Sequence, residues 1–120
     1  MEMQIEMKIF RLEATITIAK SKNPDLLAFG ELKFFAENSN DFLFKIVGFT
    51  IRRKTFNEVP KIVVVPPAFL AGNKYKTSFF FNDLNIWKDL SSLLLKAYSA
   101  ETGDAGTQDE EIVDPEDIPF

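Results

Sequence analysis

Apolar residues recur at every second position through most of the first eighty residues and at helical spacing after them. From residue 7 the chain alternates, with Phe10, Leu12, Ala14, Ile16 and Ile18 on one side and Arg11, Glu13, Thr15 and Thr17 on the other. That is the pattern of a half-buried strand, and it ends in the turn-forming run Ser21, Lys22, Asn23, Pro24, Asp25. Ile5, Met7 and Ile9 alternate in the opposite phase, so a bulge or a change of strand partner is expected near Ile9. A second strand is expected over 27–36, with Ala28, Gly30, Leu32 and Phe34 toward the core and Phe29, Glu31, Lys33 and Phe35 on the open side. Residues 37–41 read as a polar turn. The third strand, 42–53, is partly apolar on both faces, as in a central strand covered on both sides or one at an interface. A loop over 55–60 leads to a short β-branched strand at 61–65, stopped by Pro66 and Pro67; a Gly72-Asn73 turn then precedes a last strand at 75–81. Asn82 and Asp83 suit a helix cap, and Ile86, Leu90, Leu93, Leu94, Ala97 and Tyr98 form one stripe with Trp87 at its edge. Periodicity ends near Ser99.

These elements predict an α+β fold: an antiparallel sheet of four to five strands followed by one C-terminal helix. The turns are too short for parallel crossovers. Residues 1–99 form the sheet-plus-helix domain and residues 100–120 a disordered acidic tail. A chain of 120 residues suffices for one domain of roughly 100 residues and a tail. A domain of that size buries only about two thirds of its unfolded surface, which favours a homodimer.

Charge separates the two regions. All fourteen Lys and Arg lie in residues 1–99, against ten acids, whereas residues 100–120 hold eight acids and no base. The overall charge of −4 therefore hides a basic body that can bind a polyanion and an acidic tail that can compete with that polyanion. The chain has no Cys and no His, which removes disulfides, thiolate nucleophiles, Ser-His triads and the usual zinc sets. No enzyme activity, cofactor or metal is expected. The apolar runs are too short to span a membrane and the N-terminal residues lack a basic, apolar leader, so a cytoplasmic, nucleoid-associated protein is expected.

A sequence-tolerant site for single strands needs aromatic rings for bases interleaved with cations for phosphates. Phe29, Lys33 and Phe35 alternate in this way on the second strand. Arg52, Arg53 and Lys54 on the third strand, Lys61 on the fourth, and Lys74, Tyr75 and Lys76 entering the last extend a basic groove. Most of the thirteen Phe must serve the core, and Trp87 is expected to pack against the sheet rather than to stack on bases.

The last residues combine Asp114, Glu116 and Asp117 with Pro115 and Pro119, a composition for extended solvated chain, and close on Ile118 and Phe120. A basic-rimmed apolar pocket on a partner would take such a tip, ring and carboxylate together. Asp117, Ile118, Pro119 and Phe120 resemble the C-terminal signature of bacterial single-stranded-DNA-binding proteins. That resemblance implies that Pro119 and Phe120 fill the pocket of replication, repair and recombination enzymes while Asp114, Glu116 and Asp117 meet its rim, with Ile118 also part of the partner-binding tip. The body does not follow the OB-fold usual behind such a tail, because its helix comes last instead of between the third and fourth strands. Leu27-Ala28-Phe29, Asp41-Phe42, residues 46–51, Val64-Val65-Pro66 and residues 90–98 resemble the sporulation/septation protein G family, and residues 77–90 are similar to the single-strand-binding domain of whirly-type coactivators. Both resemblances imply a dimeric, nucleic-acid-binding, sheet-plus-helix protein. The leading expectation is a protein that coats single-stranded DNA with little sequence preference and recruits enzymes through its tip. The alternatives are a regulator binding duplex DNA or RNA, and a decoy that uses the tip to occupy replication factors.

Overall fold

The computed structural model describes residues 1–6, 8–9 and 11–103. Strands β1 (Arg11–Ile18), β2 (Leu26–Phe35), β3 (Phe42–Phe56) and β4 (Val59–Val65) form one antiparallel sheet in sequence order. Strands β5 (Ala68–Ala71) and β6 (Lys74–Thr77) form a separate hairpin, and helix α1 (Leu84–Thr102) follows. The α+β class, the antiparallel pairing and the closing helix agree with the sequence reading. The strand expected at 75–81 is corrected: it stops at Thr77 and pairs with β5, not with the main sheet. Pro66 and Pro67 explain the break, since neither has an N–H to continue the ladder after Val65. The Ser78 N–H donates to the Pro67 carbonyl at 2.8 Å and ties the hairpin's two ends together.

Local polar chemistry makes the turns. Ser21 Oγ accepts from the Asn23 N–H and Asn23 Oδ1 from the Asp25 N–H, both at 3.0 Å, which curls the chain between β1 and β2. The β3–β4 turn consists of Asn57 and Glu58 alone, with φ of 49° and 67°. Positive φ at both central residues is the hairpin geometry that matches strand twist. The loop expected at 55–60 is therefore strand on both sides of a two-residue turn, and β3 runs beyond residue 53 to Phe56. Pro60 lies opposite Thr55 on β4, an edge strand, where a missing N–H is tolerated.

One residue reorganises β3. Gly30 faces Phe49 across the β2–β3 ladder while Glu31 faces Val47, so Gly48 is left over, with φ of +99°. This is a β-bulge. A Cβ at Gly48 would also stand 3.4 Å from the Pro67 side chain. Before the bulge Phe44 and Ile46 pack toward the helix; after it Phe49 and Ile51 do. The change of phase is why the strand reads as apolar on both faces. The irregularity expected near Ile9 is not assigned: Ile9 precedes β1, and Met7 and Phe10 lie outside the described residues.

The core lies between one sheet face and α1, where Ala28, Leu32, Phe34, Phe49, Ile51 and Val64 meet Trp87, Leu94, Leu95 and Tyr98. Phe34 stacks on Phe44 with ring centres 4.6 Å apart. Gly30 brings the helix close, since a Cβ there would sit 2.9 Å from Leu94 Cδ2. Asp83 caps the helix, its carboxylate accepting from the Asn85 N–H at 2.9 Å. The buried stripe is turned by one residue from that expected: Trp87 is buried against Phe81, with ring centres 5.1 Å apart, and Ile86 is exposed. Adjacent apolar residues at 86 and 87 define two nearly equal stripes, and the one that buries the larger indole prevails. At the other end Gly103, with φ of 79°, donates its N–H to the Ser99 carbonyl at 2.7 Å, so the folded body extends three residues past 99. Among the described residues no helix is long and apolar enough to cross a membrane.

Candidate nucleic-acid interface

The sheet face away from α1 carries the odd-numbered residues of β1 and β2, and register sets them in rows across the strands. One row is Arg11, Phe35, Phe42; the next is Glu13, Lys33, Lys45; then Thr15, Glu31, Val47; then Thr17, Phe29, Thr50, Val65. Beyond the bulge, Arg52 stands beside Val63 and Lys54 beside Lys61. Val63 and Val65 pack with Phe56 in a small second apolar cluster on this side.

Two aromatic stations are open. Phe29 is 46% exposed between Thr17 and Thr50. Phe42 is 44% exposed, with the ammonium groups of Lys33 and Lys45 at 5.6 and 5.8 Å from its ring centre. Phe35, expected to be an open ring, is only 5% exposed because the Arg11 guanidinium lies 4.3 Å over it. That pair still presents cation and ring together, with Arg11 as the outer surface.

Beside Phe29 lies a cleft of about 270 Å³ lined by Gly48, Thr50, Arg52, Val65, Pro66, Ala68 and Tyr75. Its floor is β3 and its far wall is the β5–β6 hairpin. Arg52 Nε donates to Thr50 Oγ1 at 3.1 Å, which holds the guanidinium along the floor. Of the sequence-selected cations, Lys33, Arg52, Lys54 and Lys61 share this face. Arg53 alternates with Arg52 and Lys54 and falls on the helix side, opposite Ile62. Tyr75 lines the cleft, whereas Lys74 and Lys76 alternate with it on the hairpin's other face. Sequence reasoning missed Phe42, Lys45, Thr50 and Arg11. Phe42 and Lys45 precede a bulge no sequence pattern locates, and a second register irregularity between Phe34 and Phe35 brings Phe42 to the open side.

Carboxylates moderate the cations. Glu31 reaches Lys45 at 3.4 Å and Lys33 at 3.9 Å, and Glu13 reaches Arg11 at 3.3 Å. Surface pairs of this kind are worth little to stability, so an incoming phosphate can compete for the same lysines. At the other end Lys54 and Lys61 form the last row of cations. Desolvation, and then the neighbouring Arg52, hold the Lys54 ammonium below its ordinary pKa, with Asp25 acting in the opposite sense. A phosphate placed there would favour the charged form.

Among the described residues no group of carboxylates is gathered to hold a metal ion. Residues 104–120, including the expected partner-binding Asp114, Glu116, Asp117, Ile118, Pro119 and Phe120, lie outside the described residues. Comparison with protein-family models, with curated proteins and with solved structures found no match to this chain.

Proposed function

We propose that this chain is a single-stranded-DNA-binding protein that works as a homodimer. The open sheet face holds the strand, and the tip of the acidic tail recruits replication, repair and recombination enzymes. The observation that carries this reading is the interleaving of exposed rings and cations on one face: Phe42 between Lys33 and Lys45, then Phe29 beside Arg52 and Tyr75. Bases stack on the rings at about 1–3 kcal/mol each, without regard to sequence. Phosphates meet the lysines and arginines and release counterions. The separated acidic tail, ending in Asp117, Ile118, Pro119 and Phe120, supports the recruiting role through its resemblance to single-strand-binding proteins.

Titration of a fluorescent oligo-dT tests the first half. Binding should weaken with salt at a log–log slope of roughly −2 to −3 if three or four phosphates are engaged, and duplex should compete poorly. Failure to bind at low ionic strength would overturn the reading, and a preference for duplex would favour the regulator instead. Removing residues 118–120 should leave oligonucleotide affinity unchanged or improved and abolish capture of partner enzymes. A large loss of affinity would contradict that division of labour.

A further inference from the structure

Residues 1–9 have the alternation of a strand, yet those of them that the structure describes are exposed and belong to no strand in the single chain. Met3 is 86% and Ile5 87% exposed, and Ile9 is also exposed, while Glu2, Gln4, Glu6 and Lys8 occupy the even positions. Apolar side chains in that rhythm bury one face only when a neighbouring strand supplies the other half. A strand in need of a neighbour is also present. In the order β1-β2-β3-β4, β1 has no partner on its outer edge among the described residues. On the helix side of that edge Leu12, Ala14 and Ile16 are only half-buried and Ile18 is 43% exposed.

We propose that residues 3–9 of one chain pair antiparallel with the outer edge of β1 in a second copy, and reciprocally, in one register. Ile9 then faces Leu12 of the second copy, Ile5 faces its Ile16 and Met3 its Ile18, all on the side packed by α1. On the opposite side Lys8 faces Glu13 of the second copy, Glu6 its Thr15 and Gln4 its Thr17. Seven residues meet seven, so neither strand overhangs. Charge selects this register over its neighbours. A shift by two residues in one direction sets Lys8 against Arg11 and Glu6 against Glu13, both repulsive; a shift in the other direction leaves Lys8 and Glu6 facing threonines. Pairing within one chain would need residues 10 and 11 as a two-residue turn. Neither is Gly, Asn or Asp, and Arg11 is already in the ladder opposite Phe35. Pairing of the two arms with each other would leave both sheet edges bare and the apolar ribbon without a backing layer. The exchange instead covers each exposed edge and extends each sheet by one strand.

This inference rests on the homodimer of the proposed function but not on its ligand. The absence of Cys allows a clean test in the full-length chain. Met3→Cys and Ile18→Cys variants, made separately, mixed and oxidised, should give a disulfide-linked heterodimer, with little self-linkage of either alone. Efficient self-linkage of Met3→Cys would mean arm-to-arm pairing, and linkage within the single chain of the double variant would mean folding back; either overturns the proposal. Lys8→Glu should shift the dimer toward monomer by tenfold or more in light scattering, and adding Glu13→Lys should restore it. A monomeric native protein, or a dimer indifferent to both the charge reversal and deletion of residues 1–9, also overturns the exchange. A native dimer with the expected linkage that ignored oligonucleotides would sustain the arm exchange and sink only the nucleic-acid reading.

Discussion

The two faces of the four-stranded sheet are built from the same strands yet answer to different physics. Toward α1, Leu32, Phe49 and Ile51 are sealed from water; on the other side Phe29 and Phe42 remain open among charges. Phenylalanine on one face contributes stability, and on the other it is held in place at little benefit to the fold. The residue type therefore says nothing about role; register does.

The sharpest way to break this contrast is Phe49→Ala. Truncating a fully buried ring should cost about 3–5 kcal/mol in urea unfolding, while the fraction that remains folded keeps its oligonucleotide affinity. Gly30→Ala should cost about 1–3 kcal/mol by overpacking, because its Cβ would meet Leu94 at 2.9 Å. On the open face, Phe29→Ala or Phe42→Ala should leave the urea midpoint nearly unchanged and weaken oligo-dT binding roughly 5- to 100-fold, about 1–3 kcal/mol per lost stacking contact. A fall in stability with no change in binding would reverse the roles assigned to the faces.

Two finer tests concern charge. Glu31→Gln should release Lys33 and Lys45 and tighten binding by a few-fold at low salt, with the difference fading as salt screens the face. Lys54→Met should raise the melting temperature slightly near neutral pH, since desolvation and Arg52 together outweigh the favourable pull of Asp25 on the ammonium. The sign with pH follows from its depressed pKa. The penalty is fully present below the folded-state value and is relieved as pH rises from there toward the ordinary 10.5, so the gap between variant and native should close over that window.

Much of the fold was legible because alternation is a local signal. The core side of β2, the Asp83 cap and the closing helix all follow from spacing within a few residues. What escaped depends on contacts between distant segments. The Asn57-Glu58 turn lacks the glycine that would mark it. Pro60 is acceptable only because β4 is an edge. The β5–β6 hairpin is too short to announce itself. For the site, Lys33, Arg52, Lys54, Lys61 and Tyr75 were chosen by composition and do share a face, but Arg53 adjoins them in sequence and points elsewhere. Phe35 was selected for its alternation with Lys33, and Arg11, a neighbour only across the ladder, is what covers it.

The leftover glycine in β3 divides that strand into two lengths that keep separate count. Deleting it would bring Val47 and Phe49 next to each other opposite Glu31 and Gly30, so that Phe44, Ile46, Phe49 and Ile51 fell into one unbroken alternation toward the helix. What would be lost is the local bend and extra twist that the surplus residue imposes on the strand. A single-residue deletion at position 48 should thus spare the core and alter the curvature of the open face, whereas one at Asn57 would leave a single residue to reverse the chain and force β4 out of register.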